Sequence, residues 1–264
     1  MPQLGYGVWQ VPDDEAEQAV TTALEAGYRS IDTAAIYENE KGTGKALAAS
    51  ALPREELFVT TKLWNSEQGY DSTLRAFDAS LGRLGLDYVD LYLIHWPMPA
   101  KDAYVDTYRA FEKILADGRA RAIGVSNFLP EHLERLIGET SVVPAVNQIE
   151  LHPQLQQSAS REAHARHGIA TEAWSPLGQG KGLLEVPAIV AIARKHERTP
   201  AQVVLRWHLQ IGNVVIPKSV TPSRIRENID VFDFELDAED LAAVAALDEG
   251  RRLGPDPAGF NAGA

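Results

Sequence analysis

The run VDLYLIHWP, residues 89–97, places His95 directly after six residues that have the character of a buried strand. An imidazole there must find a partner or face a cavity, because an unpaired buried polar group is costly. Asp32 and Lys62 end two other apolar runs, and Tyr37 lies five residues beyond Asp32. Carboxylate, ammonium, phenol and imidazole groups all move protons in enzymes. Each also has a simpler explanation, as a helix cap, a surface lysine, a barrel-rim aromatic or a core histidine.

Short apolar runs alternate with longer helical patterns along the whole chain, which predicts alternating β-strands and α-helices. Eight such units predict a closed (β/α)8 barrel, because parallel strands need helical crossovers. No linker divides the chain, so we expect one domain over residues 1–264. The last long pattern should divide at Thr199-Pro200, since proline suits the first turn of a helix. The predicted strands cover 3–7, 30–34, 57–62, 88–95, 120–126, 144–150, 168–175 and 212–217, and the predicted helices cover 13–27, 71–85, 103–118, 129–138 and 186–212.

Polar or aromatic residues stand at nearly every predicted strand end. In a (β/α)8 barrel the interior is packed, and chemistry collects at the C-terminal ends of the strands. One such residue alone would favour the simpler explanations, but a ring of them at one face predicts an active site. The ring comprises Asp32, Lys62, His95, Ser126, Asn127, Gln148, Trp174, Ser175 and Lys218.

Composition excludes several classes of partner. The formal net charge of −12 gives a long-range field that repels nucleic acids and anionic membranes. The chain has no cysteine, so it can form no disulfide, thiolate metal site or catalytic thiol. No apolar run approaches the roughly 18 residues of a membrane helix, and the N-terminus lacks the pattern of a signal peptide. We therefore expect a cytoplasmic protein.

Two glycine-rich stretches and a histidine pair are the remaining candidates for ligand sites. Residues 41–47 and 178–184 miss the phosphate-loop and dinucleotide fingerprints, so we interpret both as loops and turns. His164 and His167 lie among charged residues on a predicted helix, which indicates a solvated face. We expect no metal site.

Seven segments make the chain resemble the aldo-keto reductases, especially the bacterial members related to 2,5-diketo-gluconate reductases. The resemblance extends over essentially the whole chain, and it implies NADPH-dependent reduction of carbonyl compounds. It rests on GYRSIDTAAIYENEKGTGKAL (27–47), VTTKLWN (59–65), VDLYLIHWP (89–97), AIGVSNF (122–128), VNQIELHP (146–153), AWSPLGQG (173–180) and IPKSVTPSRIRENI (216–229).

The resemblance implies a catalytic tetrad of Asp32, Tyr37, Lys62 and His95. Carbonyl reduction needs a hydride, which a nicotinamide supplies, and a proton, for which Tyr37 is the candidate donor. Lys62 should lower the pKa of this phenol, although burial and the charge of Asp32 reduce the net shift. Asp32 should keep Lys62 charged, and a ring N–H of His95 should orient the substrate oxygen.

The resemblance also implies the residues that bind NADPH/NADP+. An acidic protein needs a local basic site for this anion, and Lys218 and Arg224 flank a predicted helix start at Pro222. Some relatives carry a second arginine where Thr221 stands. Trp174 should stack on the nicotinamide ring, and the loop 175–183 should cross the pyrophosphate. The cofactor contacts implied are Ser126, Asn127, Gln148, Trp174, Ser175, Leu177, Gly178, Lys218, Ser219, Val220, Arg224, Glu227 and Asn228.

Aromatic residues after strand ends predict the substrate pocket. Trp9, Trp64 and Trp96 should wall it together with His95, although rim packing explains Trp64 equally well. Such a pocket suits small aldehydes, dicarbonyls and keto-sugars. The chain starts almost at its first strand, where relatives usually carry a β-hairpin that plugs the barrel floor, so either the numbering begins late or the barrel floor is more open than usual. The tail RRLGPDPAGFNAGA is short, which predicts a shallow, permissive site.

Two other functions are open at this point. A Schiff-base lyase could use Lys62, because barrel aldolases also place a lysine at a strand end. That reading explains neither Tyr37 nor the segment 217–224. A non-catalytic NADPH-binding subunit or sensor is the second alternative, and an intact tetrad argues against it. The family suggests a monomer.

Overall fold

The computed structural model describes residues 1–263 and shows a closed (β/α)8 barrel, which confirms the predicted fold. Eight parallel strands pair in chain order, and a parallel bridge between Leu4 and Val215 joins the first strand to the last. Each strand lies where it was predicted, and only the third extends one residue further. The strands are β1 (Tyr6–Gly7), β2 (Ser30–Asp32), β3 (Phe58–Leu63), β4 (Val89–Ile94), β5 (Ala120–Ser126), β6 (Val146–Glu150), β7 (Ala170–Trp174) and β8 (Val214–Val215).

Ten α-helices accompany these strands within residues 1–263. The predicted division of the long pattern is confirmed, because one helix starts at Pro200 after Thr199, whose hydroxyl accepts the backbone N–H of Gln202 at 3.3 Å. None of these ten helices of residues 1–263 is both long and apolar enough to cross a membrane. They are α1 (Asp13–Glu25), α2 (Glu40–Ala49), α3 (Tyr70–Leu84), α4 (Tyr104–Ala116), α5 (Pro130–Glu139), α6 (Ser158–His167), α7 (Pro187–Lys195), α8 (Pro200–Gln210), α9 (Pro222–Ile229) and α10 (Ala238–Ala245).

The glycine-rich stretch 41–47 is not a loop, as the sequence suggested, but part of helix α2. Its glycines serve close packing between elements. A β-carbon at Gly42 would lie 2.2 Å from the carbonyl oxygen of Asp13, and one at Gly44 would lie 2.3 Å from that of Leu84. The prediction failed because glycine lowers helix propensity, whereas the tertiary contacts here require its small size.

The interpretation of His164 as a surface residue is also wrong. Its side chain is buried, and its ring nitrogens lie 2.8 Å from Asn147 Nδ2 and 2.8 Å from Thr171 Oγ1. Burial lowers the pKa of His164 to about 4, so the ring is neutral at physiological pH. It therefore connects α6 to β6 and β7, while the ring of His167 lies outside this contact, with its Nε2 3.0 Å from Glu134 Oε1.

Candidate active site

Three neighbouring strands bring the predicted acid–base residues together at the C-terminal end of the barrel. Asp32 is the last residue of β2, Lys62 is the fifth residue of β3, and His95 follows the end of β4. Tyr37 ends a short 3-10 turn, Ala35–Tyr37, that leaves β2. Parallel pairing places Asp32 opposite Thr60 and Lys62 opposite Leu93, so the strand ends are in register.

The ammonium of Lys62 is fully buried and held by fixed oxygen partners. Its Nζ donates to Asp32 Oδ1 at 2.6 Å and to the carbonyl oxygen of Thr33 at 2.9 Å. Burial is the largest single influence and acts to lower the pKa of Lys62, but the charge of Asp32, the charge of Tyr37 and the hydrogen bond to Asp32 together outweigh it, and the pKa lies above its usual value. Lys62 therefore carries its positive charge at neutral pH.

Tyr37 meets this ammonium at the edge of hydrogen-bonding distance. Lys62 Nζ lies 3.5 Å from the phenolic oxygen and 5.1 Å from the centre of the ring. The predicted net lowering of the pKa of Tyr37 is contradicted: burial raises it, and the opposing charge of Lys62 does not compensate for burial and Asp32 together. Tyr37 is therefore protonated at neutral pH, which is the form that a proton donor needs.

His95 lies edge-on between two aromatic side chains. Its ring centre is 5.6 Å from that of Tyr37 and 5.3 Å from that of Trp64. Burial, followed by the charge of Lys62, holds the pKa of His95 well below its usual value. Its Nδ1 is buried and has no hydrogen-bond partner among residues 1–263. The ring is thus neutral and can offer a single N–H to a bound molecule.

The predicted nicotinamide contacts form one hydrogen-bonded group beside the tetrad. Trp174 Nε1 donates to Asn127 Oδ1 at 2.8 Å, and Asn127 Nδ2 donates to Ser126 Oγ at 3.0 Å. Ser126 Oγ in turn donates to the backbone oxygen of Gln148 at 2.7 Å. Asn127 Nδ2 also reaches the backbone oxygen of His95 at 3.0 Å, so this group is tied to the tetrad.

A buried glutamate, Glu172 on β7, belongs to this site and was not predicted. Gln148 Nε2 donates to Asp32 Oδ2 and to Glu172 Oε2, at 2.8 Å in each case. Burial, followed by the charge of Asp32, raises the pKa of Glu172 to about 8. Glu172 lies two residues before Trp174, so the two side chains are on the same side of β7. This spacing could have indicated from the sequence that Glu172 faces the site.

The other predicted cofactor residues lie in two loops. Ser175 Oγ accepts from Gln179 Nε2 at 2.8 Å in the loop that also carries Leu177 and Gly178. Around α9, Lys218 and Arg224 are exposed and form no ion pair with any residue of 1–263. In the same segment Val220 is exposed, Ser219 is partly buried and Asn228 is buried. Glu227 accepts a hydrogen bond from Thr199 Oγ1 at 2.8 Å.

Two of the three predicted tryptophans border the tetrad or the C-terminal tail. Trp64 contacts His95, and Trp96 packs on Phe260 with ring centres 4.3 Å apart. Trp9 is 41% exposed, and no ring contact joins it to the tetrad within residues 1–263. Phe260 was missed because no local pattern indicates where a tail folds back.

Hydrogen bonds hold the C-terminal tail, which begins at Arg251, at the C-terminal end of the barrel. Glu150, at the end of β6, accepts the backbone N–H groups of Leu253 at 2.6 Å and Gly254 at 3.0 Å. A β-carbon at Gly254 would lie 2.5 Å from the ring of Trp174, so this position requires glycine. Asn65 Nδ2 then donates to the carbonyl oxygen of Ala262 at 2.9 Å. The tail is thus held at the ends of β3 and β6.

A barrel that gathers a phenol, an ammonium and an imidazole at the C-terminal ends of its strands defines an enzyme with acid–base chemistry. The model described as the aldo/keto reductase family matches residues 2–249. An aldo-keto reductase from Mycolicibacterium smegmatis is 62% identical over 261 residues, which cover 99% of this chain and 94% of that protein. The chain therefore belongs to the aldo/keto reductase family and is an oxidoreductase.

The chain is also similar to two proteins whose names indicate a substrate or a bound cofactor. Methylglyoxal reductase DkgA from Escherichia coli K12 is 55% identical over 261 residues, covering 98% of this chain and 94% of that protein. The crystal structure of a Gox0644 mutant in complex with NADPH matches with a TM-score of 0.94 at 55% identity. The match covers 98% of this chain and 94% of that one.

Proposed function

We propose that this protein reduces small aldehydes and ketones to alcohols with NADPH. The observation that carries the proposal is the fully buried ammonium of Lys62, which is held by Asp32 and lies 3.5 Å from the hydroxyl of Tyr37. Burying a cation at a strand end is costly unless its charge is used or paired. Here it is paired on one side and directed at a proton donor on the other.

Tyr37 transfers its proton to the carbonyl oxygen as the carbon is reduced. The phenolate that remains is stabilised by the adjacent ammonium of Lys62, which Asp32 keeps in place. The neutral ring of His95 donates its N–H to the same substrate oxygen and stabilises the developing charge. Because the pKa of His95 is low and that of Tyr37 is high, both groups hold the required protonation states at neutral pH.

The residues present fit NADPH, which supplies the hydride when bound. Trp174 offers a flat ring held by the amide of Asn127, and Gln148 is joined to the same group through Ser126. Lys218 and Arg224 are exposed cations without an ion-pair partner among residues 1–263, and they lie before and within the first turn of α9. Guanidinium, ammonium and helix N–H groups suit a 2′-phosphate, so these two residues favour NADPH over NADH.

Aromatic side chains limit the substrate to small carbonyl compounds. Trp64 packs edge-on against His95, and Trp96, the next residue along the chain, packs on Phe260 of the tail, so aromatic rings follow the ends of β3 and β4. The relative from E. coli is named as a methylglyoxal reductase. Methylglyoxal, aromatic aldehydes and 2,5-diketo-gluconate are therefore the substrates to test first.

We also propose that the enzyme is a single-domain, cytoplasmic monomer. One domain over residues 1–264 is supported by the tail, which returns from α10 to contact β6 and the barrel mouth. A cytoplasmic location fits the absence of cysteine, since such a chain needs no oxidising compartment. A monomer without nucleic-acid or membrane partners fits the net charge of −12.

The lyase alternative is disfavoured by the charge of Lys62. A Schiff base forms from a neutral amine, whereas the pairing with Asp32 keeps this lysine protonated. A non-catalytic role is disfavoured because a merely structural lysine would not need to lie beside the hydroxyl of Tyr37. Borohydride trapping of a carbonyl compound on Lys62 would support the lyase.

The decisive experiment follows NADPH oxidation with the three test substrates in wild type and in Tyr37→Phe. Loss of the phenolic hydroxyl should reduce kcat by about 10²–10⁴-fold, the usual contribution of a general acid. NADPH binding, followed by tryptophan fluorescence, should be unchanged. Near-normal turnover in Tyr37→Phe would refute the mechanism, and a wild type that binds NADPH but reduces no carbonyl compound would favour the sensor role.

A further inference from the structure

Glu172 is a buried carboxylate that the mechanism above does not use. It lies inside the barrel on β7, 1% exposed, opposite Gln148 of β6 and Val214 of β8. Gln148 donates to its Oε2, but its Oε1 is buried and has no hydrogen-bond partner among residues 1–263. A carboxylate in such surroundings is costly to maintain for packing alone.

The amide of Gln148 joins this carboxylate to the tetrad. Its single nitrogen donates one hydrogen to Asp32 Oδ2 and the other to Glu172 Oε2. Carboxylate oxygens only accept hydrogen bonds when ionised, so the reversed amide would place its oxygen against the carboxylate of Asp32, which is ion-paired with Lys62. Asp32 therefore fixes the orientation of Gln148, and the amide N–H that remains is directed at Glu172.

The charges around this group do not balance when every acid is ionised. The ionisable groups that interact with it are Asp32 on β2, Lys62 on β3 and Tyr37 on the turn after β2, and His95 after β4 lies against Tyr37. Lys62 is the only cation among them, because His95 is neutral, and it is paired with Asp32. Burial and the charge of Asp32 raise the pKa of Glu172 to about 8, so Glu172 holds a proton at neutral pH. The group is then neutral below that pH and carries one negative charge above it.

We propose that Glu172 is a positioning residue whose charge sets the pH at which Tyr37 gives up or regains its proton, acting across Gln148, Asp32 and Lys62. The inference rests on the proposed reductase. Protonated Glu172 leaves the charge of Lys62 directed at Tyr37, which favours the phenolate that forms during reduction. Ionised Glu172 raises the pKa of Tyr37 further. It therefore opposes oxidation of an alcohol, for which Tyr37 must act as a base.

The test compares Glu172→Gln, which keeps the shape without the charge, with Glu172→Asp, which keeps the charge. Glu40→Gln is the matched control: Glu40 is equally buried, but it binds Thr61 and Arg83 on the outer side of β3. The measurement is kcat/KM for NADP+-dependent alcohol oxidation against pH. In Glu172→Gln the rising limb should move to lower pH, with several-fold faster oxidation at a given pH on that limb.

Glu172→Asp and Glu40→Gln should both keep the wild-type limb. A residue that only packs the barrel would lower kcat at every pH without moving the limb, and that result would overturn the proposal. Infrared spectroscopy of the wild type gives a second test that does not depend on the folding of any variant. A band from a protonated carboxyl should be present at pH 7 and disappear as the pH rises through about 8.

Absence of this infrared band at pH 7 would also overturn the proposal. The spectrum requires no turnover, so it separates a failure of this inference from a failure of the proposed function. A normal band with full activity in Tyr37→Phe would refute the proposed mechanism and with it the role assigned to Glu172. A missing band with an inactive Tyr37→Phe would refute only the role of Glu172.

Discussion

The tetrad and the segment around α9 carry their positive charges in opposite ways. Lys62 is fully buried, and three oxygen atoms lie within 3.5 Å of its nitrogen. Lys218 and Arg224 are exposed and unpaired within residues 1–263. A buried cation must be paired by the fold before any ligand binds, whereas an exposed cation is solvated by water until an anion replaces that water.

This difference separates two tasks within one site. The geometry of the tetrad is set by packing and ion pairing, so proton transfer depends on protein stability. In the proposed function the α9 segment contributes binding affinity, because its exposed charges would meet phosphate oxygens of NADPH. We therefore expect substitutions in the first region to alter stability and turnover together, and those in the second to alter cofactor affinity alone.

The largest effect is expected for Lys62→Met. This change leaves the carboxylate of Asp32 buried without its cation, which costs about 3–5 kcal/mol, and it removes the charge that stabilises the phenolate of Tyr37. Denaturant unfolding should show the loss of stability, and turnover should disappear. Adding Asp32→Asn should restore stability but not activity. If Lys62→Met alone were as stable as the wild type, the tetrad would not differ from the α9 segment in its contribution to stability.

A smaller effect, on affinity alone, is expected for Arg224→Ala. Loss of a charge-assisted contact worth about 1.5–3 kcal/mol should raise the KM for NADPH by about 10–150-fold. The kcat, the melting temperature and the KM for NADH should stay close to wild type. Arg226→Ala is the control, because Arg226 is an exposed arginine on the same helix. Equal effects of the two variants would show that the net charge of the segment, and not a specific contact of Arg224, sets the affinity for NADPH.

Acid should destabilise the tetrad region through His95. The pKa of His95 in the folded protein lies well below its ordinary value of 6.5, because burial and Lys62 disfavour the cation. The unfolded chain therefore takes up a proton as the pH falls below 6.5, and the free energy of unfolding drops by about 1.4 kcal/mol per pH unit. His95→Asn should show a shallower acid dependence of denaturant unfolding; an unchanged slope would contradict the assignment.

The smallest effect concerns ionic strength. Added salt should raise the KM for NADPH, because it screens exposed charges, but it should leave kcat and the pairing of Lys62 unaffected. Lys218→Ala should reduce this salt dependence. The measurement is KM against salt concentration in both proteins. A salt effect on kcat as large as that on KM would mean that the tetrad is not shielded from solvent.

Much of the fold could be predicted because each strand has a local sequence pattern. All eight strands were placed correctly, since short runs of β-branched and aromatic residues between helical patterns can be identified from the sequence alone. Asp32, Lys62 and His95 could be predicted as a group because parallel strands end at one face of a barrel. Helix α2 was missed, since its glycines are favourable only against Asp13 and Leu84.

The sequence alone determined the order of the elements and the kinds of side chain at the strand ends, because both follow from local patterns. Only the tertiary structure decided which groups share a buried hydrogen bond. Gln148 meets Asp32 across 116 residues of chain, and Glu150 holds Gly254 across 104. The protonation of Tyr37 and Glu172 was likewise decided there, because burial and neighbouring charges exist only once the barrel has closed.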